Sequence, residues 1–470
     1  MCVMKRTLLL GLLTSVCLSM PVVAQTVAAP AQEKAVDAIF ERWNAGTPGC
    51  AVGVAVGGRP VLMKAYGMAD LEHGIANTPD TIFESGSVAK QFTAMAVMLL
   101  VKDGKLSLDD QVRNYLPELP DYGTPLTIRH MLTHTSGLRD WGSVASIAGA
   151  PRTSRAYTHG HVLDIVSRQK SLNFTPGDRY SYSNTGYNLS AIIVSRVSGM
   201  SFAEFSKQRI FMPLGMTHTS WRDDHTRIVR NRATAYNYAT GAFWIEMPFE
   251  NVHGNGGLLT TVGDLLKWNE NFVKPVVGDA ALIQAMQATG TFNDGKPQDY
   301  ALGLMVGELR GVKNINHSGS TAGYRAHLNR FPDAHTSVAV LCNGSNGEAT
   351  RSAHRVSELF LDGRLKPIVP VSPAATPAPP ADPAPGAAQL AALAGHYWSE
   401  EAETTLVTAV EGSTLVLKRR PDDVIRLSYL DRDKFRGSIG TVTFIRNAAG
   451  TVDALSVSQD RVWDLRFVKR

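Results

Sequence analysis

The sequence predicts an α+β fold: an antiparallel sheet flanked by helices, an all-helical subdomain between its strands, and a small antiparallel β-barrel at the C-terminal end. Three observations carry this prediction. Strand-like apolar runs open the main region and return near its end, on either side of a long helical middle. Eight of the 24 prolines fall between Pro367 and Pro385, in a stretch rich in alanine and poor in charge, which favours an extended linker. Beyond it, short alternating segments are separated by turn residues. The 470 residues, 44% hydrophobic and 19% charged, suffice for one large core and a smaller one, and exclude a disordered or collagen-like chain.

At the N-terminus, Lys5 and Arg6 precede an apolar run from Leu8 to Met20. That run is shorter than the roughly 20 residues needed to span a bilayer. Residues 1–24 therefore read as a signal peptide cleaved after Ala24, which implies a periplasmic or secreted protein with no stable membrane span. Cys17 is a poor lipidation site, because Thr14-Ser15-Val16 lacks the small residue expected before it. Cys2 and Cys17 leave with the signal; Cys50 and Cys342 remain.

The large region is expected over 33–365. It begins with Ala51–Val56 and Pro60–Tyr66, joined through Gly57-Gly58-Arg59 as a hairpin. Residues 88–103 are continuous helix formers ended by Gly104, and Leu189–Val197 and Leu265–Phe272 have the apolar spacing of buried helices. Strand-like runs follow at Ala301–Leu309, Tyr324–Phe331 and Thr336–Cys342, the last two separated by a turn at Pro332-Asp333. Residues 366–389 are the expected linker. In 390–470, six period-2 segments (Leu406–Val410, Thr414–Lys418, Val424–Ser428, Thr441–Arg446, Val452–Val457 and Val462–Val468) form a meander that closes into a barrel. Lys plus Arg number 47 against 42 Asp plus Glu, without any basic run, so nucleic acid is not an expected partner.

The chemistry begins at Ser87-Val88-Ala89-Lys90, where a loop meets the first long helical pattern. A serine there sits at a helix N-terminus, whose free N–H groups favour developing negative charge. Lys90 follows one turn later on the same face. Packed among apolar neighbours, its ammonium loses charge readily, so it either accepts the Ser87 proton or holds a neighbouring base ionised. Alone, S-x-x-K is equally a helix cap and a solvated lysine. Two further elements follow in order. Tyr182-Ser183-Asn184, if extended, projects Tyr182 and Asn184 to one side, offering a phenol for proton transfer and an amide for a substrate carbonyl. His317-Ser318-Gly319 stands in a strand-like context before Ser320, whose backbone N–H could join that of Ser87 in an oxyanion hole, with small residues that admit a substrate backbone to the strand edge.

This ordered set resembles the class C branch of the β-lactamase and penicillin-binding-protein serine hydrolases, with motifs S-x-x-K, Y-x-N and K-T-G or H-x-G; the related class A set is S-x-x-K, S-D-N and K-T-G. Supporting stretches are Leu126–His130 running on to His134-Thr135-Ser136-Gly137-Leu138, Pro213-Leu214-Gly215-Met216, and Gly256-Gly257-Leu258 with Asp264-Leu265. The similarity spans about residues 35–350. It implies Ser87 as the acylated nucleophile, Lys90 and Tyr182 sharing base and acid work, and Asn184, Gly319 and Ser320 binding substrate. His317 takes the third-motif place among the catalytic residues, as in D-aminopeptidases and some DD-peptidases of the family; beside Lys90 it is expected to be neutral and to donate a hydrogen bond to substrate or Tyr182, and being no permanent cation it disfavours a strong penicillinase. The fold type also implies that the N-terminal hairpin lies beside the last strand of the large region, which brings Cys50 near Cys342 and makes a disulfide between them an expectation. The small domain resembles the lipocalin-like barrels appended to some members, through scattered residues such as Gly395, Tyr397, Phe435 and Gly450.

The resulting expectation is an exported serine hydrolase that cleaves amide or ester bonds through an acyl-enzyme, foremost a peptidase on D-residue peptides, with small molecules and peptidoglycan-derived peptides as the candidate substrates. A small-acyl esterase, a weak β-lactamase and a catalytically silent penicillin-binding or peptidoglycan-sensing protein are the alternatives. No cofactor or metal is expected: His130 and His134 have helical spacing but no accompanying Glu or third ligand, and His159-Gly160-His161 reads as an exposed loop. No G-x-S-x-G elbow occurs. Oligomeric state is not legible in the sequence.

Overall fold

Six strands make the central sheet: β1 (Cys50–Val56), β2 (Arg59–Tyr66), β3 (Met305–Leu309), β4 (Val312–Thr321), β5 (Tyr324–Phe331) and β6 (Thr336–Cys342). They were traced in a computed structural model that describes residues 27–361, 363–367, 384–420 and 422–470. The order is β3-β4-β5-β6-β1-β2, so the N-terminal hairpin completes a sheet whose other strands arrive about 250 positions later. Every pairing is antiparallel. Between β1 and β6 the register runs from Cys50 opposite Cys342 to Val56 opposite Thr336.

Alternation along these strands divides the core into two faces. Val52 and Val54 with Val338 and Val340 pack against Val36 and Phe40 of helix α1 (Pro30–Phe40) and Ala353 and Val356 of the C-terminal helix Ala349–Phe360. Ala51, Ala339, Leu341, Ala326 and Leu328 face the helical middle. That middle is built around α2 (Lys90–Lys102) and α3 (Asn184–Ser198). Helix α2 is buried on all sides from Lys90 to Leu100, as its uninterrupted run of helix formers requires.

The expected helix at 88–103 begins with a 3₁₀ turn over Gly86–Ala89 and becomes α-helical at Lys90. Ala301–Leu309 becomes a strand only at Met305. Strand β4 does not stand out as an apolar run, because Lys313, Asn314, Asn316 and Ser318 fill it with polar groups. The triplet Tyr182–Asn184 is not extended throughout: Asn184 opens α3 behind an extended Ser183, five residues before the expected helical pattern Leu189–Val197. His159 is likewise no exposed loop residue; it begins the helix His159–Ser167, and its Nε2 lies 2.9 Å from His253 O.

In the C-terminal region eight antiparallel strands close into a barrel, from Gly395–Ser399 to Val462–Lys469, with Tyr397 opposite Lys469 at the seam. Gly395–Ser399 and Lys434–Gly437 are the two strands that alternation alone did not reveal; both are short. Leu406, Leu417, Phe435, Phe444, Leu455 and Phe467 fill the interior. Residues 387–389, assigned to the linker by composition, belong instead to a short helix, Ala387–Ala392. The expected signal segment 1–24 and linker residues 368–383 lie outside the described residues. Among the described residues no helix is long and apolar enough to cross a membrane.

The barrel docks on the helical middle through its last hairpin and the loop after its first strand. Asn173 holds this hairpin twice: its side-chain amide donates to Arg461 O at 3.3 Å and its Oδ1 accepts from Trp463 N at 2.8 Å. Phe174 packs on Trp463 with ring centroids 5.1 Å apart. A buried ion pair, Arg139 with Glu401 at 3.1 Å, seals the contact.

Candidate active site

The 3₁₀ turn that carries Ser87 is pressed against β4 without intervening side chains. Gly86 adopts φ +51°, and a Cβ on it would stand 2.5 Å from Ser320 N. A Cβ on Gly319 would stand 2.0 Å from Ser85 O. Glycine is therefore required on both sides of this junction. The close approach brings the backbone N–H of Ser320 to the nucleophile turn, where it and the N–H of Ser87 can serve an oxyanion. Strand β3 pairs with β4 only as far as Asn316, so the edge from His317 to Thr321 stays open toward the site. A cavity of about 890 Å³ lies along it, lined by Ser87, Tyr180, Tyr182, Asn184, Arg152 and Arg461 among others.

Lys90 is fully buried. Its Nζ donates to Asn184 Oδ1 at 2.9 Å and to the backbone O of Asn255 at 2.8 Å, and lies 3.0 Å from Ser87 Oγ. A neutral lysine has two N–H bonds and one lone pair. Two acceptors use both N–H bonds and leave the lone pair for the Ser87 hydroxyl. Burial, reinforced by the charge of Arg461, holds Lys90 well below the usual lysine range despite the opposing Asp140 carboxylate. Asn184 thus contacts Lys90 itself.

Tyr182 stands beside this pair. Lys90 Nζ lies 4.7 Å from its ring centroid. Burial pushes its phenol above the ordinary value, while a hydrogen bond with Ser87 and the charge of Arg461 work the other way. His134 packs 4.2 Å from the same ring, and its Nδ1 accepts the backbone N–H of Ser183, fixing the turn that presents the tyrosine. Burial and the nearby Lys90 hold His134 well below the usual histidine range.

His317 lies in the site, with partners other than those expected of it. Its Nε2 is 2.9 Å from the Tyr300 hydroxyl and its Nδ1 2.6 Å from Ser318 O, while the ring of Tyr182 is 6.4 Å away, centroid to centroid. Nδ1–H donates to the carbonyl, which leaves Nε2 to accept from Tyr300. Burial and Lys90 push the imidazole down to about 4, so it is neutral near pH 7. The expected neutrality is present, but the imidazole spends both nitrogens on the protein and keeps no donor for Tyr182.

Beneath the turn, Glu84 accepts two hydrogen bonds from Arg222, at 2.8 and 3.1 Å, and one from Gly257 N at 3.2 Å. This buried pair ties the loop bearing Asn255 to the strand entering the nucleophile turn. Ser87, Lys90, Tyr182, Asn184, His317, Gly319 and Ser320 all converge here. Tyr300, Asn255, Asp140 and Arg461 were not anticipated; only His134 had a visible signal, the H-T-S-G stretch.

An open-edged sheet, a Ser–Lys–Tyr cluster built on a buried lysine and a helical partner domain define the β-lactamase and penicillin-binding-protein type of architecture. The chain belongs to the Beta-lactamase family, whose sequence profile matches residues 32–361. It is 28% identical over 316 residues to a D-aminopeptidase of Brucella canis, a match covering 67% of this chain and 59% of that relative. The penicillin-binding protein homologue of Pyrococcus abyssi, described as octameric, superposes with a TM-score of 0.63 at 24% identity, covering 93% of this chain and 99% of that one. The D-amino acid amidase of Ochrobactrum anthropi superposes with a TM-score of 0.61 at 23% identity, covering 71% of this chain and 99% of that one. The two structural likenesses establish the fold.

Proposed function

We propose that the protein is an exported serine hydrolase that cleaves amide bonds of small D-residue peptides or amides through an acyl-enzyme. The single observation that carries this reading is the buried Lys90 Nζ, anchored on Asn184 and Asn255 and 3.0 Å from Ser87 Oγ, beside the Tyr182 phenol. The D-aminopeptidase relative supports the substrate class, and the apolar run after Lys5-Arg6 supports export.

In the first step Ser87 Oγ attacks the substrate carbonyl carbon, and its proton passes to the Lys90–Tyr182 pair. The carbonyl oxygen becomes an oxyanion facing the N–H groups of Ser87 and Ser320. The C–N bond then breaks as the leaving amine takes a proton back through Tyr182. Water attacks the acyl-Ser87 ester by the reverse proton route and releases the acid. The open β4 edge allows an extended substrate backbone to pair beside the nucleophile.

Labelling with a fluorophosphonate, followed by mass spectrometry, should place the adduct on Ser87. Turnover should favour D-amino-acid amides over their L-enantiomers, p-nitrophenyl esters and nitrocefin. Equal turnover of both enantiomers, or near-normal hydrolysis by Ser87→Ala, would overturn the reading.

A further inference from the structure

The side chain of Arg461 is half-buried at the tip of the last barrel hairpin and lines the cavity of the nucleophile, although it belongs to the other domain. Its guanidinium lies 4.7 Å from the centroid of the Tyr182 ring. No carboxylate or hydrogen-bond acceptor among the described residues engages that guanidinium. The backbone fixes its position: Arg461 O accepts from Asp140 N at 3.1 Å and from Asn173. The same Asp140 accepts the backbone N–H of Asn184, so the hairpin is keyed to the site and not merely laid against it.

We infer that the barrel contributes Arg461 to the reaction as a positioning residue, a permanent cation that stabilises the Tyr182 phenolate formed as the tyrosine protonates the leaving group. The inference rests on the acyl-enzyme reading above. Once Lys90 holds the Ser87 proton, Tyr182 gives its own proton to the leaving group, and negative charge spreads over the phenol ring until Lys90 returns the proton. A cation facing that ring lowers the energy of the charged form, and does so most strongly where water is excluded.

The groups around Tyr182 leave this task to Arg461. Lys90, from α2, is uncharged before it accepts the Ser87 proton and is cationic only while it carries it, so the permanent cation against the ring is Arg461. His134 and His317 are held neutral by burial. The phenols of Tyr180, Tyr187 and Tyr300 are pushed up and stay protonated. Asp140 opposes a phenolate. The charge of Arg461 also disfavours protonation of Lys90. Both effects favour the reactive state, and both come from a domain with no other residue in the Ser–Lys–Tyr cluster.

The test is the pH dependence of acylation by a neutral ester and a neutral D-amino-acid amide, neither bearing a carboxylate, in the full-length protein. Arg461→Gln should slow acylation of both by about ten-fold and move the acidic limb of kcat/KM up by about one unit, because Lys90 then protonates more readily. Arg461→Lys should restore most of the rate. An unchanged limb with unchanged neutral substrates would overturn the inference. So would a loss confined to substrates with a free carboxylate, which would make Arg461 a substrate contact. Thermal unfolding of Arg461→Gln should match the parent, since the docking bonds of this hairpin use the backbone; a large drop in Tm accompanied by equal losses for Arg461→Lys would mark a structural role instead. If the unaltered protein shows no Ser87 acylation, the underlying reading fails as well, and that outcome is distinct from all of these.

Discussion

Asp140 Oδ2 accepts the backbone N–H of Asn184 at 2.7 Å, joining the H-T-S-G stretch to the first turn of the helix that touches Lys90. Its other oxygen caps the helix Trp141–Ile147 by accepting Ser143 N at 3.1 Å. One carboxylate therefore fixes two helix starts. Asp140→Ala should cost about 1–2 kcal/mol of stability from the lost cap. It should also lower kcat/KM by at least about ten-fold, since Asn184 would no longer be held against Lys90. Urea unfolding and turnover of one amide substrate measure the two effects, and an unchanged kcat/KM would show that Asn184 is placed without Asp140.

Members of a cluster that acts as a unit do not contribute additively. Ser87→Ala should abolish turnover and covalent labelling, and Lys90→Ala or Tyr182→Phe should each lower kcat by about 10³-fold or more. The double variant should be little worse than either single one. A multiplicative double loss, measured on the same substrate, would mean that Lys90 and Tyr182 work on separate protons.

Acid should destabilise this fold in a defined window. His317 is held at about 4 in the folded protein against about 6.5 in an unfolded chain. Between those values the unfolded chain binds the additional proton, so stability is intact above about 6.5 and falls as pH drops toward about 4. His134 and His327, also pushed down by burial, add to the same slope. The urea midpoint should decrease from about pH 7 to about pH 4.5, and His317→Gln should flatten part of that decrease. A slope unaltered in His317→Gln would show that the imidazole is not buried neutral. Activity should also rise from acid to neutral pH as Lys90 loses its proton, and Tyr300→Phe, which removes the donor to His317 Nε2, should leave that limb in place.

The structure joins Cys50 and Cys342 as a disulfide between adjacent strands β1 and β6, across 292 residues of sequence. Thiol counting in denaturant without reductant should find neither residue free. Cys50→Ser should lower stability by about 2–5 kcal/mol, the range expected when a long loop is no longer closed. Two free thiols per chain lacking residues 1–24 would contradict the pairing.

How much of this was legible depended on distance along the chain. Ser87 and Lys90 are three residues apart, and helical periodicity alone puts them on one turn, so local physics sufficed. Strands β5 and β6 were readable because alternation of apolar residues records a buried face. Strand β4 was read only around His317-Ser318-Gly319, because Lys313, Asn314 and Asn316 interrupt the apolar stripe that would have shown its full length.

The sequence by itself determined that a barrel follows the larger region, that Ser87 and Lys90 share one turn, and that a histidine occupies the third-motif place, since each rests on composition, short spacing or residue type. Only the tertiary structure decided which groups complete the site. Asn255 reaches Lys90 across 165 residues, Tyr300 reaches His317 from outside any motif, and Arg461 reaches Tyr182 from a second domain. Such partners have no local signature, because a hydrogen bond or cation–ring contact constrains where two atoms meet in space and leaves their separation along the chain free.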